Sequence, residues 1–297
     1  MPTINPTRPG SIRIGDELRV PRLGFGAMRI TGDGIWGPPQ DPAEARAVLR
    51  RAVELGVRFI DTADSYGPET SELLIAEALH PYPADLVIAT KGGIVRPDKP
   101  TWARDARPAH LRAACEASLR RLRLQRIDLY QLHAIDPNVP LEDSLGELAR
   151  LQREGKIRYV GVSNVGVEEL ARARRVVDVV SVQNRYNVAD RSSDPVLATC
   201  ERDGLAFIPW SPLVQGLQDA DAPCHCSKPP SHGCWRIRPR CCRSPARHRC
   251  GTSKATWPPR PPASWTTSSG RFDDPTAPGA IDSAARRRLT PDHRARQ

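Results

Sequence analysis

Four side chains in this sequence have the types and the placement to move a proton onto a polar bond. Arg58–Gly67 reads RFIDTADSYG, an apolar run that ends in a carboxylate at Asp61, with a tyrosine following at Tyr66. LVIATK ends at Lys91, IDLYQLH ends at His133, and KIRYVGVSN ends at Ser163 and Asn164. Each is an apolar strand with a reactive polar side chain at its exit. A nearby ammonium draws a phenol's pKa towards working pH, so Lys91 would make Tyr66 a general acid. Asp61 would pair with Lys91 and hold it in place. His133 would hydrogen-bond a substrate oxygen and orient it. Together they would protonate a carbonyl oxygen while something else attacks the carbon. No side chain carries a hydride, so a nicotinamide cofactor is implied.

Taken singly, each residue has a plainer reading. Asp61 could cap a strand end and Tyr66 could be a rim aromatic. Lys91 could be a solvated strand end and His133 a satisfied core histidine. Their joint occurrence at successive strand exits favours the chemical reading.

The elements that must hold them follow a repeating grammar. Ser11–Arg22 reads as a small hairpin turning at Gly15–Asp16, and LGFGAMRIT as a first strand. Gly24 and Gly26 there allow close approach by a ligand or by packing neighbours. Asp41 before Pro42 is an N-cap followed by proline at the first helical position. Ala45, Val48, Leu49, Ala52 and Val53 give that helix its apolar face, and Gly56 ends it. The strand VRFI follows. Then come helix 69–80 and strand 86–89, helix 108–122 and strand 127–132, and helix 141–154 and strand 157–162. Helix 167–174, strand 179–182, helix 194–202 and strand 205–209 complete the series.

Strands that are apolar throughout are buried on both faces, which predicts a parallel sheet covered by helices. Repeated βα units without a Gly-rich GxGxxG turn favour a closed α/β barrel, the (β/α)8 TIM-barrel architecture, over an open dinucleotide-binding sheet. Asp61, Lys91, His133, Asn164, Gln183 and Ser211 all fall at strand exits. In a barrel those positions share one rim, where active sites are built.

Charge and cysteine divide the chain. The net charge is +10, yet residues 1–217 hold 29 Lys and Arg against 28 Asp and Glu. The remaining eighty hold 15 against 6, so the basic excess says little about what the body binds. Only Cys115 and Cys200 of eight cysteines lie in the body, as expected of a reduced, cytoplasmic protein without a disulfide framework. The first residues, MPTINPTRPG, lack the apolar core of a signal peptide. No apolar run is long enough to predict a membrane span.

From Ser11 to Leu217 the chain resembles the aldo-keto reductase superfamily. DTADSYG is similar to that family's Asp/Tyr segment, ATKGG to its lysine segment, YQLH to its histidine strand, and GVSN to a nicotinamide-contacting turn. Gln183 in VQNRYN resembles the family's carboxamide-binding glutamine. Trp210–Leu213 (WSPL) resembles the segment that packs on the nicotinamide and contacts the pyrophosphate. The resemblance implies reduction of small aldehydes or ketones with NADPH, with NADH open. Asp61, Tyr66, Lys91 and His133 would be catalytic. Ser163, Asn164, Gln183, Trp210, Ser211 and Leu213 would bind cofactor. The other functional reading is a non-catalytic barrel that binds a nicotinamide nucleotide as a sensor or regulatory subunit.

Residues 218–297 depart from the pattern. They hold 12 prolines and only four residues from Leu, Ile, Val and Phe, so disorder and no buried strand are expected there. GTSK (Gly251–Lys254), RFDD (Arg271–Asp274) and IDSAAR (Ile281–Arg286) are family-like islands in Pro-, Arg-, Cys- and Trp-rich text. That mixture is what a GC-rich reading frame shifted by one base would give. The last βα units are therefore expected to be degenerate, the 2′-phosphate grip lost, and the chain as written poorly soluble or nearly inactive. The cysteines and histidines from Cys224 to Cys250 could instead suggest zinc, but their spacings do not repeat as paired C-x2-C units. Nucleic-acid binding through the basic residues would be non-specific.

Overall fold

The computed structural model describes residues 10–212 and the backbone of Cys234–Arg236. Two short antiparallel strands come first, β1 (Ser11–Ile14) and β2 (Leu18–Pro21), followed by β3 (Leu23–Gly26). The predicted first strand thus ends at Gly26. The chain then tightens into a 3-10 turn at Ala27–Ile30, where the Ser71 hydroxyl donates to the Ala27 carbonyl at 3.0 Å. The alternating series is α1 (Pro42–Glu54), β4 (Phe59–Asp61), α2 (Thr70–Leu79) and β5 (Val87–Gly92). A small hairpin, β6 (Ile94–Val95) with β7 (Ala103–Arg104), interrupts it. The series resumes with α3 (Pro108–Leu122), β8 (Ile127–Leu132), α4 (Leu141–Arg153) and β9 (Ile157–Ser163). It ends with α5 (Val167–Ala173), β10 (Val179–Arg185), α6 (Asp194–Asp203) and β11 (Ala206–Trp210).

Local chemistry sets these boundaries. The Asp41 carboxylate accepts from Ala43 N at 2.8 Å and Glu44 N at 2.9 Å, satisfying two of the orphan donors at the start of α1. Proline sits in the first turn of α1, α3 and α6, where no backbone donor is lost. Gly204 ends α6 in the left-handed conformation that glycine adopts without strain. In α4 the leucine stripe at 141, 145, 148 and 151 is buried to the last residue.

Seven strands run parallel in the order β11-β10-β9-β8-β5-β4-β3. The period of two along each strand sorts its side chains onto two faces. Ile60 and Ile88 face α1 and α2, while Tyr130, Leu132, Val160 and Val162 face α3, α4 and α5. Phe59, Ala89, Leu129 and Ile208 point the other way and form one cluster with Ile14, Leu18 and Val20 of the hairpin. Strands as far apart in the sheet as β4 and β11 share that cluster, so the sheet curls and the hairpin plugs its base. Two residues further on, the same inner face carries Asp61, Lys91 and Gln131. Gly24 answers to packing, since a side chain there would begin 2.8 Å from the Phe59 ring.

Composition offered no reason to expect a strand after Leu217, and there is one. β12 (Cys234–Arg236) pairs antiparallel with β3, opposite in direction to every other member of the sheet. Backbone hydrogen bonding needs no particular side chain, so three residues can add to an edge without an apolar run. The motifs from Gly251 onward lie outside the described residues.

Candidate active site

The exit of β4 wraps around Lys91 of β5. Its ammonium donates to Asp61 Oδ2 at 2.8 Å, to the Thr62 carbonyl at 2.8 Å and to the Tyr66 hydroxyl at 3.3 Å. An ammonium has three protons, and all three have an acceptor here. Lys91 is wholly buried and Asp61 is 1% exposed. Tyr66 and His133, at 7% each, are the least deeply buried of the four. Their rings meet edge to face with centroids 5.8 Å apart, so one small oxygen could reach both. The predicted convergence of Asp61, Tyr66, Lys91 and His133 at one rim is what the structure has. Lys91 falls inside β5 rather than past it, because the parallel ladder continues to Gly92.

The electrostatics differ from the sequence expectation in one respect. Burial raises the Tyr66 pKa, the Lys91 ammonium pulls it down, and burial prevails. The phenol is therefore held protonated, as a proton donor must be, with Lys91 offsetting part of the cost of losing that proton. Burial also pulls on Lys91, but the Asp61 carboxylate and the Tyr66 oxygen together hold its pKa above the usual value, so it stays charged. Burial and the Lys91 charge push His133 well below its usual pKa, and its imidazole is neutral. His133 Nδ1 lies 3.4 Å from the Ser65 hydroxyl, which leaves Nε2 for a substrate.

Asp61 has more partners than sequence reasoning supplied. Its Oδ1 accepts from Gln183 Nε2 at 2.9 Å and from Gln131 Nε2 at 3.1 Å. Gln131 was not among the expected site residues. The available signal was its position in YQLH, two residues before His133 and on the inner face with Lys91, its ladder partner. Gln183 does not face an open mouth as a free amide. It lies within β10 with its N–H group committed to Asp61, which leaves its oxygen as the atom able to accept from a ligand.

The remaining predicted cofactor residues line the exits of β9 to β11. The Asn164 amide donates to the His133 carbonyl at 3.0 Å and to Ser163 Oγ at 3.1 Å, and its oxygen accepts from the Trp210 indole at 2.9 Å. Asn164 and Ser211 both hold left-handed backbone, with φ of 58° and 48°. Such conformations in non-glycine residues are costly and concentrate at ligand sites. Trp210 is part-exposed, its indole fixed from one side by Asn164, and this end suits a flat carboxamide-bearing ring. Leu213 lies outside the described residues. Among the described residues no group of His, Cys, Asp and Glu could hold a metal, and no helix is long and apolar enough to cross a membrane. Cys115 and Cys200 are free and buried, and burial pushes both thiols up to about 12.

Comparison with known proteins agrees with this geometry. The family model described as the aldo/keto reductase family matches residues 22–223. An uncharacterized oxidoreductase of Schizosaccharomyces pombe is 49% identical over 213 residues, covering 72% of this chain and 69% of that protein. Pyridoxine 4-dehydrogenase of Escherichia coli is 42% identical over 200 residues, covering 65% of this chain and 70% of the enzyme. The structure of an aldo/keto reductase from Klebsiella pneumoniae in complex with NADP and acetate superposes with a TM-score of 0.60. It is 28% identical and the match covers 71% of each chain. Across these and other relatives the match spans 60% to 72% of the relative's own length. Sequence match, parallel βα sheet and the arrangement at the strand exits agree: this chain belongs to the aldo/keto reductase family of oxidoreductases.

Proposed function

We propose that the site of this chain is built to reduce small aldehyde or ketone carbonyls to alcohols, with NADPH as the hydride donor and Tyr66 as the proton donor, at a low rate in the chain as written, whose last quarter departs from the family. The observation that carries the reading is the Lys91 ammonium shared between Asp61 Oδ2 and the Tyr66 hydroxyl beside a neutral histidine. Tyr66 accepts a hydrogen bond from Lys91, so its own O–H is free to point at a carbonyl oxygen. As negative charge develops on that oxygen, Tyr66 transfers its proton and becomes a phenolate, which the fixed ammonium stabilises without reorganisation. His133 Nε2 holds the same oxygen and sets its approach. Asp61 keeps Lys91 charged and immobile.

When bound, a nicotinamide nucleotide supplies the hydride. The residues present suit its nicotinamide end. Gln183 Oε1 and the Ser163–Asn164 turn would hold the carboxamide, and Trp210, Ser211 and Leu213 would flank the ring. A relative solved with NADP favours the phosphorylated form, and NADH is the comparison to run. Burial of both body thiols accords with a cytoplasmic setting.

Tyr66→Phe tests the assignment. Deleting the hydroxyl should lower carbonyl reduction by about 10²–10⁴-fold, the usual worth of a general acid. NADPH affinity should stay within a few-fold of the parent. A Tyr66→Phe variant that turns over aldehydes at the parent rate would refute the assignment. A parent chain that binds nucleotide but reduces no carbonyl would favour the sensor reading.

A further inference from the structure

Gln131 presents a contradiction that packing alone does not resolve. It is fully buried, and its side-chain oxygen has no hydrogen-bond partner. The Ser181 hydroxyl nearby is buried and unpartnered as well. Between them lies Gly161, where a side chain would begin 3.0 Å from Gln131 Cγ and 2.4 Å from Ser181 Oγ. β9 is bare at this point, and the space so left is what admits Gln131. An unsatisfied buried amide oxygen costs stability, and methionine would fill nearly the same volume without one. What glutamine adds at this position is the N–H that it donates to Asp61 Oδ1 at 3.1 Å.

That donor bears on how Asp61 holds Lys91. Gln131 and Gln183 both donate to Oδ1, and the ammonium takes Oδ2 alone. Were Oδ1 free, the carboxylate could turn and offer both oxygens to Lys91. Of the three hydrogen bonds that Lys91 makes, the one to Tyr66 is the longest, at 3.3 Å, and would yield first. We propose that Gln131 is a positioning residue for the reaction: it gives Oδ1 of Asp61 a second donor beside Gln183, so that together the two amides keep the pairing one-armed and the third ammonium proton on Tyr66. Gln131 touches neither substrate nor cofactor and acts through Asp61. The inference rests on the assignment of Tyr66 as proton donor, and its test has a part that does not depend on turnover.

Gln131→Met in the full chain separates positioning from packing. Three quantities are read: the thermal midpoint, the ¹³Cζ resonance of Tyr66 at neutral pH, and the kinetics of carbonyl reduction. The resonance is assigned by its loss in Tyr66→Phe. The midpoint should stay at or above the parent's, because an orphan polar atom has gone. The Tyr66 resonance should move part of the way to its position in Lys91→Met. The kcat should fall about tenfold, with KM within about twofold. A stable Gln131→Met variant with parental resonance and parental kcat overturns the proposal. So does a variant whose lost activity matches a lost folded fraction, since that marks a structural role. If the parent reduces no carbonyl, the functional assignment fails, and the resonance still decides whether Gln131 controls the Lys91–Tyr66 contact.

Discussion

The Asp61–Lys91 pair allows a demanding test, because its two charges are sealed in with almost no access to water. Their side chains are 2% and 0% exposed and 2.8 Å apart. Lys91→Met strands the Asp61 carboxylate with only the two glutamine amides for partners. Asp61→Asn strands the ammonium on the Thr62 carbonyl and the Tyr66 oxygen. Removing one partner of a buried pair typically costs about 3–5 kcal/mol, because the remaining charge is uncompensated. Domains of this kind have about 5–15 kcal/mol in total, so each single variant should lose about a fifth of its stability or more. The double variant, Asp61→Asn with Lys91→Met, leaves no charge behind and should cost less than about 2 kcal/mol. The cycle should thus show a coupling of at least about 4 kcal/mol, above the usual range for contacting residues. Urea denaturation at fixed pH, followed by tryptophan fluorescence, measures all four species. Equal slopes would confirm that midpoints can be compared as stabilities. Single variants costing under about 1 kcal/mol, or a double variant equal to their sum, would refute a water-free ion pair.

Two further outcomes follow from other contacts. His133 has a folded pKa well below 6.5, so below about pH 6.5 the unfolded chain takes up a proton that the folded chain refuses. Stability should fall with decreasing pH by up to about 1.4 kcal/mol per unit from this residue, and His133→Gln should remove that part of the slope; identical slopes at pH 7 and pH 5 would contradict it. Asn164→Gly would relieve left-handed strain while deleting three hydrogen bonds, so stability should fall by about 1–2 kcal/mol. NADPH affinity should drop about tenfold as Trp210 loses its anchor, and a titration at parental affinity would show that this turn does not hold the nucleotide.

Much of the site could be read from the chain because its residues obey position rules. Asp61, Lys91 and His133 lie at or within a residue of the ends of apolar strands, and a parallel barrel brings strand ends together whatever the details of packing. Tyr66 follows within the same loop, so local geometry carries it in. Three features were not legible, each for a physical reason. Gln131 lies inside an apolar strand, where an amide shows its importance only through what it touches. The net upward shift of the Tyr66 pKa depends on burial depth, which no spacing encodes. The strand at Cys234–Arg236 depends on backbone groups, which are the same in every sequence. The helix and strand boundaries fell close to expectation because the caps Asp41 and Gly204, and the first-turn proline Pro108, are local devices.

Gln183 has a consequence that extends past either half of the site. Its amide N–H holds Asp61, while its backbone carbonyl accepts from Asn164 N at 3.0 Å at the exit of β9. Whatever bears on Gln183 from the rim is therefore passed to the carboxylate that governs Lys91 and Tyr66. Linkage makes the traffic two-way: if occupancy of the rim alters how tightly this cluster holds its protons, protonation must alter occupancy by the same factor. Affinity for the nucleotide, and not turnover alone, then becomes a function of pH. A single amide would make the coenzyme and the proton two ligands of one thermodynamic system.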